Sequence, residues 1–261
     1  MPVLLLVPCY IEHLRPAIGL ATARLLERLG VDWRYPADQT CCGQPAYNAG
    51  HPDFALPAAR HFLRRFGSAE RVVSPSASCV AMLRRYPELP GLSPAERAEF
   101  AALAPRCHEL SDYLVNVLGR ETVGARWPGR VAFQDGCHAL RELGIAEAPR
   151  RLLAAVEGLE LVEASDPERE CCGFGGVFAV KLPELSAAMA DARLAALAAA
   201  GTDTLALTDA SCLLQLEGRA RQRGRPFRGL HLAEILAAEG AAQAGATGGA
   251  AQAGVAGDTA A

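Results

Sequence analysis

The sequence predicts an α/β protein built from two homologous repeats, each a small, mostly parallel sheet with flanking helices, the two related by a pseudo-two-fold axis. Three observations carry this. A cysteine pattern occurs twice, as C-x31-CC-x36-C from Cys9 to Cys79 and as C-x33-CC-x39-C from Cys137 to Cys212. A continuous apolar run precedes the first cysteine of each set, as expected of a strand buried on both faces. Segments of helical period and length separate these runs, and strands that alternate with helices form parallel sheets. The pattern divides the chain into a first repeat over 1–122, a second over 123–239, and an Ala/Gly-rich tail over 240–261. The tail has no hydrophobic period and almost no charge, so it is expected to be disordered.

In each repeat the elements follow in the same order. "VLLLVP" (Val3 to Pro8) leads to Cys9, and "RVAFQD" (Arg130 to Asp135) stands in the same place before Cys137. A helix follows each: "RPAIGLATARLLERLG", with Pro16 in its first turn and Gly30 at its stop, and "HALRELGIAEAPRRLLAAVEG", expected to break around Pro149. "VDWRYP" and "LELVEA" read as second strands that enter the paired-cysteine loops. "RVVSP" and "TLALTD" read as third strands. Cys79 and Cys212 then open a further helix in each half, and each repeat closes on a similar helix, "HELSDYLVNVL" or "HLAEILAAE". In parallel sheets the loops at the carboxyl ends of the strands converge on the ligand crevice, and all eight repeated cysteines fall in such loops.

Composition narrows the function classes. With 261 residues, 51% of them hydrophobic and 21% charged, and a net charge of −3, the chain has the make-up of a globular protein and no electrostatic footprint for nucleic acid. The apolar N-terminal stretch lacks a basic n-region and a small-residue cleavage site, so it reads as a strand and not as a signal peptide. No uncharged apolar segment approaches the ~20 residues of a membrane span. The expectation is a cytoplasmic protein without direct membrane insertion.

There are nine cysteines. An odd number in such a chain points to reduced thiols, which more often bind metal or do chemistry than form disulfides. Vicinal cysteines also bridge poorly, because their Cα atoms stand about 3.8 Å apart. Thiolates gathered from separate loops raise one another's pKa unless a cation stabilises them. Two kinds of centre accept four thiolates, a tetrahedral zinc ion and an iron–sulfur cluster. The close CxxC knuckles usual for zinc are absent, and the long spacings suit a larger core. Candidate metal ligands are therefore Cys9, Cys41, Cys42 and Cys79 in the first repeat and Cys137, Cys171, Cys172 and Cys212 in the second. Gly43, Gly173, Gly175 and Gly176 can bring backbone close to such a core and turn N–H groups toward sulfide. The helix starts near Cys79 and Cys212 add a favourable dipole.

The doubled motif, with "VPCY", "CCGQPAYNAG", "PSASC", "DGCHALRELGI", "CCGFGGVFAVK" and "TDASC", resembles the cysteine-rich CCG domain family of iron–sulfur oxidoreductase subunits, over residues 1 to about 239. That family includes heterodisulfide reductase and glycolate oxidase subunits, and the flanking segments here are most similar to its lactate-utilization branch. The resemblance implies an iron–sulfur electron-transfer subunit of a multi-protein system that oxidises L-lactate to pyruvate, with other subunits of that complex as partners. A thiol–disulfide redox subunit, a glycolate oxidase subunit and a zinc-stabilised interaction subunit are the alternatives. Many family members carry a fifth cysteine three residues before the last one of each motif, where this chain has Ser76 and Asp209. Four thiolates per repeat fit an ordinary [4Fe–4S] centre in each, with zinc in one half as the alternative. There is no G-x-G-x-x-G fingerprint for flavin or nicotinamide, and no catalytic residue is assigned.

The remaining candidates have plainer readings. Cys107 has no counterpart in the second repeat and reads as a buried structural thiol. His138, next to Cys137, either donates a hydrogen bond or a proton at the cluster or caps a helix. His108 and His231 stand at equivalent helix starts and read as structural. His13, His51 and His61 read as surface or satisfied polar residues. Lys181, the only lysine, follows the second CCG loop and either offsets cluster charge or sits exposed.

Overall fold

The computed structural model describes residues 2–164 and 171–239; the tail expected over 240–261 lies outside the described residues. Two four-stranded sheets, parallel throughout, form the frame. The first contains β1 (Val3–Leu5), β2 (Trp33–Arg34), β3 (Val72–Ser74) and β4 (Cys107–Glu109) in the order β2-β1-β3-β4. The second contains β5 (Arg126–Phe133), β6 (Glu157–Glu163), β7 (Thr204–Leu207) and β8 (Arg228–His231) in the order β6-β5-β7-β8. The two orders are the same. In each sheet the strand order switches sides between the first and third strands of the repeat, the place where open parallel sheets present their crevice. Leu4 pairs with Val72 there, and Ala132 with Leu205.

Successive residues of a strand point to opposite faces, and this period-2 rule organises the packing. Val3, Leu5, Val73, Val131, Phe133 and Ala206 all join one core that spans both repeats. Their strand neighbours Leu6 and Val72 face a core whose buried members all belong to the first repeat, around Phe62, Phe66, Tyr86 and Phe100. Ala132, Leu205 and Leu207 face a core private to the second, around Ala190, Leu197 and Leu213. One face of each sheet thus meets the other repeat. The helix Pro16–Arg28, through Ile18, Leu25 and Leu26, and the helix Leu232–Leu236, through Ile235 and Leu236, fill that shared core. At its rim Arg15 is bidentate to Glu217 at 3.0 and 2.9 Å and also donates to the Gly229 carbonyl, while Arg85 pairs with Glu142 at 2.8 Å.

Two sequence expectations differ in detail. The segments read only as closing helices begin as fourth strands, because β4 and β8 are three- and four-residue edges too short to display a strand period. The helix after Cys137 breaks at 142–146, with Gly144 at φ +68°, and not at Pro149. Pro149 lies in the first turn of the helix Glu147–Ala154, where a missing N–H costs nothing. Among the described residues no helix is long and apolar enough to cross a membrane.

Glu109 and His231 occupy the same place in their repeats: each ends the last strand, caps the helix that follows, and is fully buried. His231 accepts from the Ala233 N–H through Nδ1, and burial holds it neutral, its pKa lowered to about 4. Glu109 accepts from the Ser111 N–H at 2.8 Å through Oε2 and leaves Oε1 without a partner. Burial, opposed by those hydrogen bonds and reinforced by the charge of Asp209, raises its pKa to about 7. Between the ordinary carboxylate value of 4.5 and about 7 the folded protein keeps a proton that the unfolded chain releases. Stability conferred by that proton is therefore lost as pH rises through this window, by up to about 1.4 kcal/mol per pH unit. Glu109→Gln keeps the capping acceptor without the ionisation. Urea unfolding at pH 5 and pH 7 is expected to show the wild type losing stability relative to the variant; parallel pH dependences would contradict the assignment.

Candidate metal centre

Each repeat delivers its thiols in the same way. Cys9 and Cys137 open the short helices Cys9–Leu14 and Cys137–Arg141, directly after β1 and β5. Cys79 and Cys212 are the third residues of the helices Ala77–Arg85 and Ala210–Gln222, after β3 and β7. The vicinal pairs come from the loops after β2 and β6. Gln39 ties the first of these loops to the end of β1, accepting from the Val7 N–H at 2.6 Å and donating to the Leu5 carbonyl. The buried Tyr86 hydroxyl donates to the Cys42 carbonyl at 2.8 Å. In the second repeat the Ser186 hydroxyl does the equivalent work, donating to the Gly173 carbonyl at 2.7 Å while it accepts from Gln215.

All eight repeated cysteines line one cavity of about 150 Å³ between the repeats. Within each set the thiols touch: Cys9 Sγ to Cys41 Sγ is 3.8 Å, Cys42 Sγ to Cys79 Sγ 3.5 Å, and Cys172 Sγ to Cys212 Sγ 3.0 Å. All nine cysteines are free. Among the described residues no three Cys, His, Asp or Glu side chains converge on a point that would hold a single metal ion. The thiols line a wall instead.

The charge in each set settles on its central thiol. Hydrogen bonds from Cys42 and Cys9, with a further one from the Gly43 N–H at 3.4 Å, draw the Cys41 pKa down to about 2 against the effect of burial. Cys9 and Cys42, as the donors to that thiolate, are pushed up. The second repeat repeats this: hydrogen bonds from Cys137 and Cys172, with a further one from the Gly173 N–H at 3.4 Å, lower Cys171 to about 2 against the effect of burial, while Cys137 and Cys172 rise. Thiolates packed this closely raise one another's pKa, and a cation among them would favour the ionised form.

Gly43 (φ +79°) and Gly173 (φ +82°) lie behind the thiols and not on the cavity wall, in the left-handed region that favours glycine. A side chain at Gly43 would press on Ala55 at 3.1 Å, and one at Gly173 would run into the Ser186 carbonyl oxygen. Gly175, Gly176 and His138 do line the cavity. Cys107 is remote from it, buried with its thiol against the Leu103 carbonyl and its pKa pushed up by burial to about 12. His108 pairs with Asp112 at 3.0 Å, His61 meets the Asp38 carbonyl, and Lys181 is exposed on the short helix Val177–Lys181.

The chain matches the family model described as "Cysteine-rich domain" (CCG) twice, over residues 3–84 and 131–217. It belongs to the cysteine-rich CCG domain family. Members of the family similar to it include the lactate utilization protein A of Geobacillus kaustophilus, 44% identical over 90% of this chain and 98% of that protein. The proteins of the same name from an Exiguobacterium species and from Bacillus licheniformis are 41% and 40% identical over the same share of this chain, covering 96% and 99% of their own lengths. The residues three before the last cysteine of each motif meet across the pseudo-two-fold: the Ser76 hydroxyl donates to Asp209 Oδ1 at 2.7 Å, as does Ser78, whose N–H also reaches both carboxylate oxygens. Asp209 is completely buried, and burial raises its pKa. Its oxygens are engaged in joining the two CCG repeats.

The sequence reading missed the residues that shape the cavity between the thiols. The residue after the first cysteine of each repeat meets the residue after the CCG of the other. Tyr10 packs edge-on against Phe174 with ring centroids 5.5 Å apart, and His138 Nε2 faces Gln44 Nε2 at 3.2 Å. One wall is therefore aromatic and the other polar. Setting the repeats against each other would have exposed these positions, since Tyr10 aligns with His138 and Gln44 with Phe174.

Substitution of Gly173 by Ala combines left-handed strain with a backbone clash. A cost of about 2 kcal/mol or more is expected, read as a fall of several degrees in Tm. Gly30→Ala, at φ +70° with open space around it, is expected to cost only about 1 kcal/mol. Equal losses would show that the packing behind the CCG loop is not what demands glycine.

Proposed function

We propose that this chain is an iron–sulfur electron-transfer subunit of a multi-protein system that oxidises L-lactate to pyruvate, and that each CCG repeat carries one [4Fe–4S] centre. The observation that carries the reading is the one cavity walled by two complete four-thiol sets, with thiol contacts inside each set. The donor set fits the group: sulfur only, four thiols to a set, spread over a wall as a multi-iron core requires. Cys9, Cys41, Cys42 and Cys79 would hold one centre and Cys137, Cys171, Cys172 and Cys212 the other. Such a centre, when bound, supplies one-electron acceptance and release.

The chain's own residues supply the rest. The Gly43 and Gly173 N–H groups offset thiolate charge, and the helix starts at Ala77 and Ala210 aim their dipoles at the same sulfurs. Tyr10 and Phe174 give one side of the cavity an aromatic lining. Among the described residues that line it there is no arginine or lysine to anchor the carboxylate of a hydroxy acid. Oxidation of lactate itself is therefore assigned to a companion subunit, and the lactate assignment rests on the name of the similar proteins.

Anaerobically purified protein is expected to be brown and to contain iron and acid-labile sulfide; stoichiometric zinc without sulfide would replace this reading with the zinc-stabilised one. Cys42→Ser and Cys172→Ser are each expected to lose the iron of one repeat, about half the total, whereas Cys107→Ser retains it all. Equal loss in the Cys107 variant would overturn the division between ligands and structural thiol. The isolated chain is expected not to oxidise lactate with an artificial acceptor, and deletion of its gene to abolish growth on L-lactate while sparing growth on glucose. Normal growth on lactate, with no second lactate dehydrogenase present, would refute the lactate assignment alone.

A further inference from the structure

The two thiol sets are equivalent in spacing but not in surroundings, and the difference lies in the polar wall. His138 Nδ1 stands 3.6 Å from Cys137 Sγ, and its Nε2 stands 3.2 Å from Gln44 Nε2, which crosses from the first repeat. The Gln44 amide is oriented by its second contact: Nε2 donates to the Ser78 carbonyl at 2.9 Å, where a glutamine oxygen would face another acceptor. The remaining amide hydrogen then points at His138 Nε2, which must accept. A neutral imidazole has one donor and one acceptor, so the proton sits on Nδ1, on the side of the cysteine. Glu142 Oε1 lies farther from the same Nε2, at 3.5 Å, and Gln44 at 3.2 Å is the nearer partner.

We infer that Gln44 of the first repeat is a positioning residue that fixes the tautomer of His138 and aims its Nδ1–H at Cys137 Sγ, giving the second thiol set a hydrogen bond that the first lacks. At the equivalent place in the first set, Tyr10 and Phe174 meet as rings and offer Cys9 no side-chain N–H. Hydrogen bonds to ligand sulfur withdraw charge and favour the reduced form of a bound centre. A centre held by the second set would thus be the more easily reduced of the two. The potential difference rests on the iron–sulfur reading; the tautomer does not.

Two measurements test this on the full chain. Long-range 15N–1H correlation of histidine-labelled protein is expected to show His138 protonated on Nδ1 in the wild type and on Nε2 in Gln44→Glu, whose carboxylate accepts from the ring. Potentiometric titration followed by EPR is expected to show two reduction steps. In Gln44→Glu and in His138→Phe the higher step falls by about 59 mV, a tenfold change for one electron, while the lower step and the iron content hold. Protonation of His138 on Nε2 in the wild type would overturn the inference, as would steps that shift together or not at all. Wild-type protein without iron and sulfide would remove the iron–sulfur reading and leave the tautomer result to decide this one.

Discussion

Everything in this structure depends on two parallel sheets meeting face to face with their carboxyl ends opening on the same space. The alternation of strand side chains achieves it. Val3, Leu5, Val73, Val131, Phe133 and Ala206 are apolar on the side where a lone repeat would show them to water, and burying a side chain of this kind is worth about 1.5–3 kcal/mol each for the larger ones. Neither sheet is complete alone, and the shared core leaves the thiol-bearing loops with one cavity between them.

That geometry brings an electrostatic difficulty and part of its solution. Eight thiols around about 150 Å³ cannot all ionise unaided. The fold concentrates charge on Cys41 and Cys171 and surrounds each with donors: two neighbouring thiols and the N–H of the glycine that follows the pair. The glycine is held in a left-handed conformation by packing from behind, against Ala55 in one repeat and Ser186 in the other.

Symmetry is kept in the frame and broken at the axis. Ser76 and Asp209 stand at equivalent positions yet form one donor–acceptor pair, and Tyr10 with Phe174 answers His138 with Gln44 across the cavity. Two aspartates at these positions would face each other as acceptors, whereas the Ser76 hydroxyl donates to the Asp209 carboxylate, and the same divergence gives the two thiol sets different neighbours. Glu109 and His231, at equivalent positions in their repeats, differ as well, one a carboxyl with its pKa raised and the other an imidazole with its pKa lowered.

Much of this was legible in the sequence because it is written in local terms. Cysteine spacing gave the repeat, apolar runs gave six of the eight strands, and their alternation with helices gave parallel sheets. The loops that carry Cys9, Cys41, Cys42 and Cys79 and their counterparts followed from the same reading. The short edges β4 and β8 were not legible, since three or four residues display no period, and Pro149 misled because its effect depends on its position within a helix. Only the tertiary structure decided that the two repeats share one core and one cavity, that Ser76 meets Asp209, and that Gln44 of one repeat reaches His138 of the other. Such contacts join residues about 90 to 130 positions apart, and no spacing along the chain encodes them. They arise when two faces that are each apolar for local reasons find that the best surface to cover them is the other repeat.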